Sequence, residues 1–282
     1  MPGTHVTMTP PEGFFASTSF VGFEHACGAS LLVAEIPAGY AGLVEGMTDT
    51  RFAEQGVTHI TRNDETVDGR PAVFIIGRQE AAGLSFTKLL VITGTDKLTA
   101  FITGNLPIAT CEPDIGTQMR DAELGIKFDP DRPIDPLAAL RFTLTPAAPL
   151  KFAGAFNNGA LYNISGMVPS PDPGEPSLIV APSLGGGAGD DLVAFAISQL
   201  DSMTSIGDVT VESSAETTIA GRPAAIVIAT ATSSTRDVDV VVYNVLLGGE
   251  GDYVAFIGIC DPVDRADFFD VFDASIRTYQ PK

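Results

Sequence analysis

TVDGRPAVFIIG at residues 66–77 and TIAGRPAAIVIA at residues 218–229 are one stretch written twice: Thr66, Gly69, Arg70, Pro71 and Ala72 return as Thr218, Gly221, Arg222, Pro223 and Ala224. Glycine accepts a positive φ, and a proline after the arginine has no amide hydrogen to give to a sheet ladder. Each copy therefore reads as a turn followed by the start of a strand. Working outward, Val6-Thr7-Met8-Thr9-Pro10 is matched by Phe142-Thr143-Leu144-Thr145-Pro146, and Ser30-Leu31-Leu32-Val33-Ala34 by Ser177-Leu178-Ile179-Val180-Ala181. Beyond the Gly-Arg-Pro stretch, Ala100-Phe101-Ile102 meets Ala255-Phe256-Ile257, and Ile126-Lys127 meets Ile276-Arg277. Five matches in the same order indicate duplication of a whole domain. The spacing changes coincide with Pro/Gly-rich insertions around residues 165–175 and 185–189, and lengthening a surface loop costs little entropy.

A period this long exceeds the roughly 20–50 residues of solenoid repeats, so the 282-residue chain is read as two domains of about 135 residues, each large enough for its own core. The expected boundaries are 1–130 for the first domain, a Pro/Asp-rich linker at 131–140, and 141–282 for the second. In each copy a Pro-bounded strand and hairpin (14–36; 152–182) precede a helix. Leu192, Ala196, Leu200 and Met203 form one helical face behind a cap at Asp190 or Asp191, whereas the matching 41–55 stretch is interrupted by Gly46 and Thr48. Four strand-like runs follow, at 57–62, 70–79, 84–93 and 97–103, and again at 208–214, 222–232, 237–247 and 252–259. An amphipathic helix closes each copy, with Ile115, Met119, Ala122 and Ile126 on one face of the first and Phe268, Phe272, Ile276 and Tyr279 on one face of the second. The expected fold class is α+β: two tandem antiparallel β-sheets, each flanked by helices.

Net charge is −19, shared as −9 over residues 1–140 and −10 over 141–282. Such a field repels phosphate backbones and anionic lipid, and no Lys/Arg stripe offsets it, so nucleic acid is not the expected partner. The longest apolar runs, such as residues 238–247, fall well short of the roughly 18 residues of a membrane span. Abundant Thr, Ser, Ala and Gly with few Lys suit an exported bacterial protein, periplasmic or secreted, whose signal lies outside this sequence. Cys27, Cys111 and Cys260 have no counterparts between the copies and no zinc-like spacing. Either one disulfide with a leftover thiol or three free thiols fit. Among the pairs, Cys27 with Cys111 is favoured because both lie in the first domain.

The strand, helix, strands, helix order, with its glycine turn before Ala72 and an amphipathic final helix, resembles the PsbP-like fold. The opening Met8-Thr9-Pro10-Pro11-Glu12-Gly13-Phe14 and Gly28-Ala29-Ser30 are similar to a group of uncharacterised exported bacterial proteins. That resemblance implies a binding or accessory role; no functional residue of the family maps onto this chain.

Sites for chemistry are sparse. His5, His25 and His59 are each isolated, and neither a GxSxG elbow nor an HExxH pair occurs. The glycine loop at 185–189 precedes Asp190 and Asp191, whose charge opposes phosphate. Asp129, Asp131 and Asp135 offer oxygen ligands but not the Gly and Glu positions of an EF-hand loop, and their prolines read as a stiff linker. Arg70 and Arg222, a charge kept in both copies, are candidate ligand or partner contacts; alternatively each pairs with an acidic neighbour or packs its stem on the sheet. The expectation is a non-enzymatic binding or accessory protein with a protein or peptide partner, no cofactor and no metal. The rival is an enzyme with a site at the interface of the two domains, using residues such as His25, His59 and Cys111.

Overall fold

In the computed structural model, which describes residues 1–282 except Ala82, Asn157, Gly185 and Glu250, both Gly-Arg-Pro stretches open the second arm of a hairpin. The first half runs β1 (Val6–Thr7), β2 (Phe14–Ala16), β3 (Gly22–His25), β4 (Ser30–Ile36), α1 (Tyr40–Gly46), α2 (Asp49–Glu54), β5 (Val57–Val67), β6 (Arg70–Ala81), β7 (Leu84–Gly94), β8 (Thr99–Pro107), α3 (Pro113–Leu124) and β9 (Lys127–Phe128). The second half runs β10 (Phe142–Thr143), β11 (Lys151–Phe156), β12 (Gly159–Asn163), β13 (Ser177–Pro182), α4 (Leu192–Asp201), β14 (Ile206–Ile219), β15 (Arg222–Ser233), β16 (Asp239–Gly248), β17 (Tyr253–Cys260), α5 (Arg265–Ile276) and β18 (Gln280–Pro281).

The sheets have one strand order. Among the described residues each is seven-stranded and antiparallel, β2-β3-β4-β8-β7-β6-β5 in the first half and β11-β12-β13-β17-β16-β15-β14 in the second. In each half a two-stranded ribbon, β1–β9 or β10–β18, joins the start to the end. The chain is a tandem duplication. It divides into two compact units, Met1–Ala139 and Leu140–Lys282.

The repeated glycine explains the shared hairpin. Val67 pairs with Arg70 and Ile219 with Arg222, leaving two-residue turns with positive φ at both positions: 50° and 75° at Asp68 and Gly69, 50° and 80° at Ala220 and Gly221. This is the type I′ turn, whose twist matches that of the strands it joins. Pro71 and Pro223 follow as second residues of their strands, just before the ladders to β7 and β16 begin at Ala72 and Ala224, so a missing amide hydrogen there costs little.

Of the expected fold class, the two tandem antiparallel sheets are present, and the molecule is sheet-rich with few helices rather than evenly α+β. The 41–55 segment shows why, since it breaks after Gly46 into α1, which buries none of its residues, and α2, which buries Phe52 and is capped by the Thr48 side chain accepting from Arg51 N. In the second unit one ten-residue α4 does this work, capped by Asp191 accepting from Ala194 N at 2.8 Å and burying Ala196 and Leu200.

Alternation along the strands makes two apolar layers per unit. On one face of the first sheet Leu31, Phe74, Leu89, Val91 and Ile102 meet Ile115 and Met119 of α3, with Phe128 of β9 alongside; on the other Val73, Ile75 and Ile92 meet Phe52 of α2. In the second unit Phe256 and Val245 meet Phe272 and Ile276 of α5, and Val227, Val242 and Leu246 meet α4. Residues 131–140, expected as a linker, run close to the first unit: Arg132 donates to Thr7 Oγ1 and to the Thr4 carbonyl, Ala139 is buried in the first core, and Leu140 in the second. Among the described residues no helix is long and apolar enough to cross a membrane.

Candidate functional site

Arg222 begins β15 where the turns of two hairpins lie side by side. Its Nε donates to the Gly248 carbonyl at 2.8 Å and its Nη2 to Asp252 Oδ1 at 2.9 Å. Gly249 permits this pairing: a Cβ there would stand 1.9 Å from Asp252 Oδ1 and 2.3 Å from the guanidinium. Beside the pair opens a cavity of about 660 Å³ lined by the start of α4 (Gly189, Asp190, Leu192), the β14–β15 turn, Gly248, Gly249 and Asp252. Its size is that of a small-ligand or side-chain site. With Asp252 matched to Arg222, Asp190 leaves the lining with an excess of one negative charge. The described lining residues offer carboxylates, glycine backbone and Leu192, and no nucleophile paired with a base.

Arg70 holds the same place in the first unit and behaves differently. Its guanidinium carbon lies 5.7 Å from the Phe128 ring centroid, a cation–π contact, and its Nε is enclosed with no hydrogen-bond partner. The conserved-looking arginine is thus an ion-paired group in one copy and a stacked one in the other.

A second cavity of about 430 Å³ lies elsewhere in the second unit, around Arg236, which grips Asp261 with two hydrogen bonds, with Asp172, Glu175, Asp264 and Phe268 around it. Glu175 accepts from both Ser165 N and Ser165 Oγ, contacts that hold its carboxyl below its ordinary range against the opposing effect of burial.

Cys27 and Cys111 are joined by a disulfide, with Cα atoms 5.2 Å apart, which ties the β3–β4 turn to the segment before α3. Cys260 is a free buried thiol that burial and the nearby Asp264 and Asp261 push up to about 12. The histidines do not converge. His25 in β3 accepts from Cys27 N and stacks near Phe14, whereas His59 is exposed on β5 with φ 52° at a bulge. β3 and β5 are five inter-strand steps apart, about 24 Å at roughly 4.8 Å each. His5 is bound to Glu35 at 2.8 Å.

Asp129 and Asp135 turn inward on their own loop, accepting from Asp131 N and Leu137 N, and among the described residues no group of three or more His, Cys, Asp or Glu is arranged to hold a metal ion. The glycine loop begins at Gly185, outside the described residues; of the rest, Gly186 and Gly189 adopt positive φ. Sequence reasoning missed Asp252 and Gly248 as partners of Arg222, and Gly249 as the residue that leaves room for them. The signal available was the Gly248-Gly249 pair closing the next hairpin, which has no counterpart at Gly94-Thr95.

No family model matches the chain, and no curated protein matches it. Among solved structures the chain is similar to immunity protein TplEi of T6SS from Pseudomonas aeruginosa complexed with "L" peptide, at 7% identity over 96% of this chain and 99% of that one, TM-score 0.33. It is similar to the Tle4–Tli4 complex at 9% identity over 97% and 99%, TM-score 0.33, and to PA94, a protein of unknown function from Pseudomonas aeruginosa, at 13% identity over 50% and 98%, TM-score 0.34. No PsbP-like structure is among these neighbours.

Proposed function

We propose that this is a non-enzymatic, exported binding protein that recognises a cationic protein or peptide, with the cavity beside Arg222 as a contact point. The observation that carries this reading is the composition of that cavity: a guanidinium already neutralised by Asp252, a further carboxylate at Asp190, and glycine backbone around them. An opening of this charge within a chain of net charge −19 attracts a lysine or arginine side chain and repels an anion. The Cys27–Cys111 disulfide supports export to an oxidising compartment, periplasmic or extracellular, since such bonds are rare in the reducing cytosol. Binding rather than catalysis is favoured by the separation of His25 from His59 and by the oxidation of Cys111, which remove the constellation an enzymatic reading would use.

The test is affinity capture from a periplasmic extract of the native host with the wild-type protein and with the Asp190→Asn/Asp252→Asn double variant. A basic protein retained by the first, lost from the second and released by salt is the expected result. A small-molecule substrate turned over by the purified protein, with turnover abolished in the double variant, would overturn it.

A further inference from the structure

β14 is the outermost strand of the second sheet, paired with β15 on one side only. At 14 residues it exceeds the common strand length of up to ten, and residues 210–218 are exposed without interruption. A long open edge presents a row of backbone donors and acceptors, and proteins ordinarily blunt such edges with lysines, prolines or bulges. Here the ladder to β15 is irregular at Gly207/Thr210 and again at Val211/Ser213, and from Ser213 it runs in unbroken register to Ile219 opposite Arg222. Residues 213–218, Ser-Ser-Ala-Glu-Thr-Thr, contain no proline, lysine or arginine and no large side chain. The matching edge in the first unit is guarded: on β5, Arg62 is held by Asp49 of α2 at 2.8 Å and Glu65 lies 3.8 Å from Arg120 of α3.

We infer that the outer edge of β14, over residues 213–218, accepts an extended cationic segment of the partner protein as an added strand. The occupant's charge follows from the strand's own side chains. Asp208, Glu212 and Glu216 are the ionisable residues of β14, and Glu212 is already matched by Arg265 at 2.7 Å, which leaves Glu216, inside 213–218, and Asp208 as the carboxylates with no ion pair among the described residues. A second copy of this chain would bring Glu216 and Asp208 against their own kind, whereas a lysine- or arginine-bearing strand would meet them with opposite charge, and cross-strand pairs of opposite sign stabilise a ladder. Small residues at 213–218 leave the added backbone free to approach, with affinity from main-chain hydrogen bonds, as in other cases of strand addition.

This inference rests on the cationic-partner reading above, and the test separates the two. Three synthetic dodecapeptides are titrated onto the full chain: alternating lysine and threonine, the same peptide with every second amide N-methylated, and alternating glutamate and threonine. Amide hydrogen exchange of β14 is followed in parallel. The lysine peptide is expected to bind and to protect β14, the N-methylated form to bind about tenfold more weakly for want of two or three backbone hydrogen bonds, and the glutamate peptide not to bind. Glu216→Lys, at an exposed position, is expected to weaken the lysine peptide several-fold. Equal binding of the methylated peptide, or protection away from β14, would overturn the added strand while leaving the cationic partner standing. Preference for the glutamate peptide would remove both. Absence of binding by all three overturns the edge inference and leaves the cavity to the capture experiment. Self-association that protects β14 without peptide names a second copy as the occupant and overturns it as well.

Discussion

The two units share a strand order and differ in what fills it. Gly104 of β8 and Gly258 of β17 occupy one register position, opposite Leu31 and Leu178, and in both a helical side chain presses into the space a Cβ would take. In the second unit it is the ring of Phe272, fully buried; in the first it is the carboxyl of Glu123, also fully buried, with neither oxygen hydrogen-bonded. The second unit covers its other sheet face with α4 and buries nearly all of β16; the first has the short α1 and α2, and much of β7 is half-exposed. The comparison teaches that the strand order tolerates a poorly satisfied core, and that the less satisfied unit is the one carrying the disulfide.

The largest effect should come from removing that disulfide. Cys27 and Cys111 are 84 residues apart, and closing a loop of that size restricts the unfolded chain enough to contribute about 3–5 kcal/mol. Cys27→Ser/Cys111→Ser, or reduction, should lower the unfolding free energy of the first unit by that amount, and with it that unit's denaturant midpoint, and leave the second unchanged, read as hydrogen exchange of peptides from each unit along a urea series. Equal shifts in both would break the comparison.

Next is Glu123. Burial pushes its carboxyl well above its ordinary value of 4.5, so the folded first unit holds a proton that the unfolded chain releases. A raised folded pKa contributes stability that is complete below about 4.5 and is lost as pH rises through the folded value. Glu123→Gln cannot titrate, so its stability relative to wild type should be flat below about 4.5, climb above it, and level off once pH has passed the folded value. Glu123→Leu, which also removes the unpartnered oxygens beside Leu89 and Met119, should stabilise the first unit by about 1–3 kcal/mol at pH 8 and by less at pH 5. A pH profile of wild type parallel to that of Glu123→Gln would show that Glu123 finds a partner in solution.

These contrasts also mark what the sequence makes legible. The duplication, the hairpin at Gly69 and Gly221, the broken helix around Gly46 and the α4 stripe were readable because turn residues and apolar period act locally. The lengths of β5 and β14 were not: residues 63–67 and 215–219 are mostly polar, since an edge strand with solvent on both faces needs no apolar alternation. Few large residues separate those edges from loop. The different fates of Arg70 and Arg222 were equally hidden, because the partners that decide them, Phe128 and Asp252, lie far along the chain and are brought in by strand pairing. Glu123 reads as an ordinary charged helix position; only the packing of α3 over Gly104 makes it a buried one.

The smallest effect lies in the hairpin turns. Asp68 and Ala220 both stand at φ 50°, a conformation that asparagine and aspartate tolerate better than alanine. Asp68 does more than fit: it accepts from Phe128 N at 3.0 Å and Lys127 Nζ at 3.1 Å, contacts that hold its carboxyl below its ordinary range. Its depressed folded pKa gives stability that is present above 3.8 and lost as pH falls through the folded value, so Asp68→Ala should lower the melting temperature of the first unit at neutral pH and have less effect in acid. The second unit cannot copy this link, because the position matching Phe128 in its terminal ribbon is Pro281, which has no amide hydrogen to donate. Ala220→Asn should therefore gain only the turn preference, about 0.5–1 kcal/mol, with no pH dependence. A gain of several kcal/mol, or one that varied with pH, would mean that the second turn finds a partner of its own and that the two hairpins are more alike than Pro281 allows.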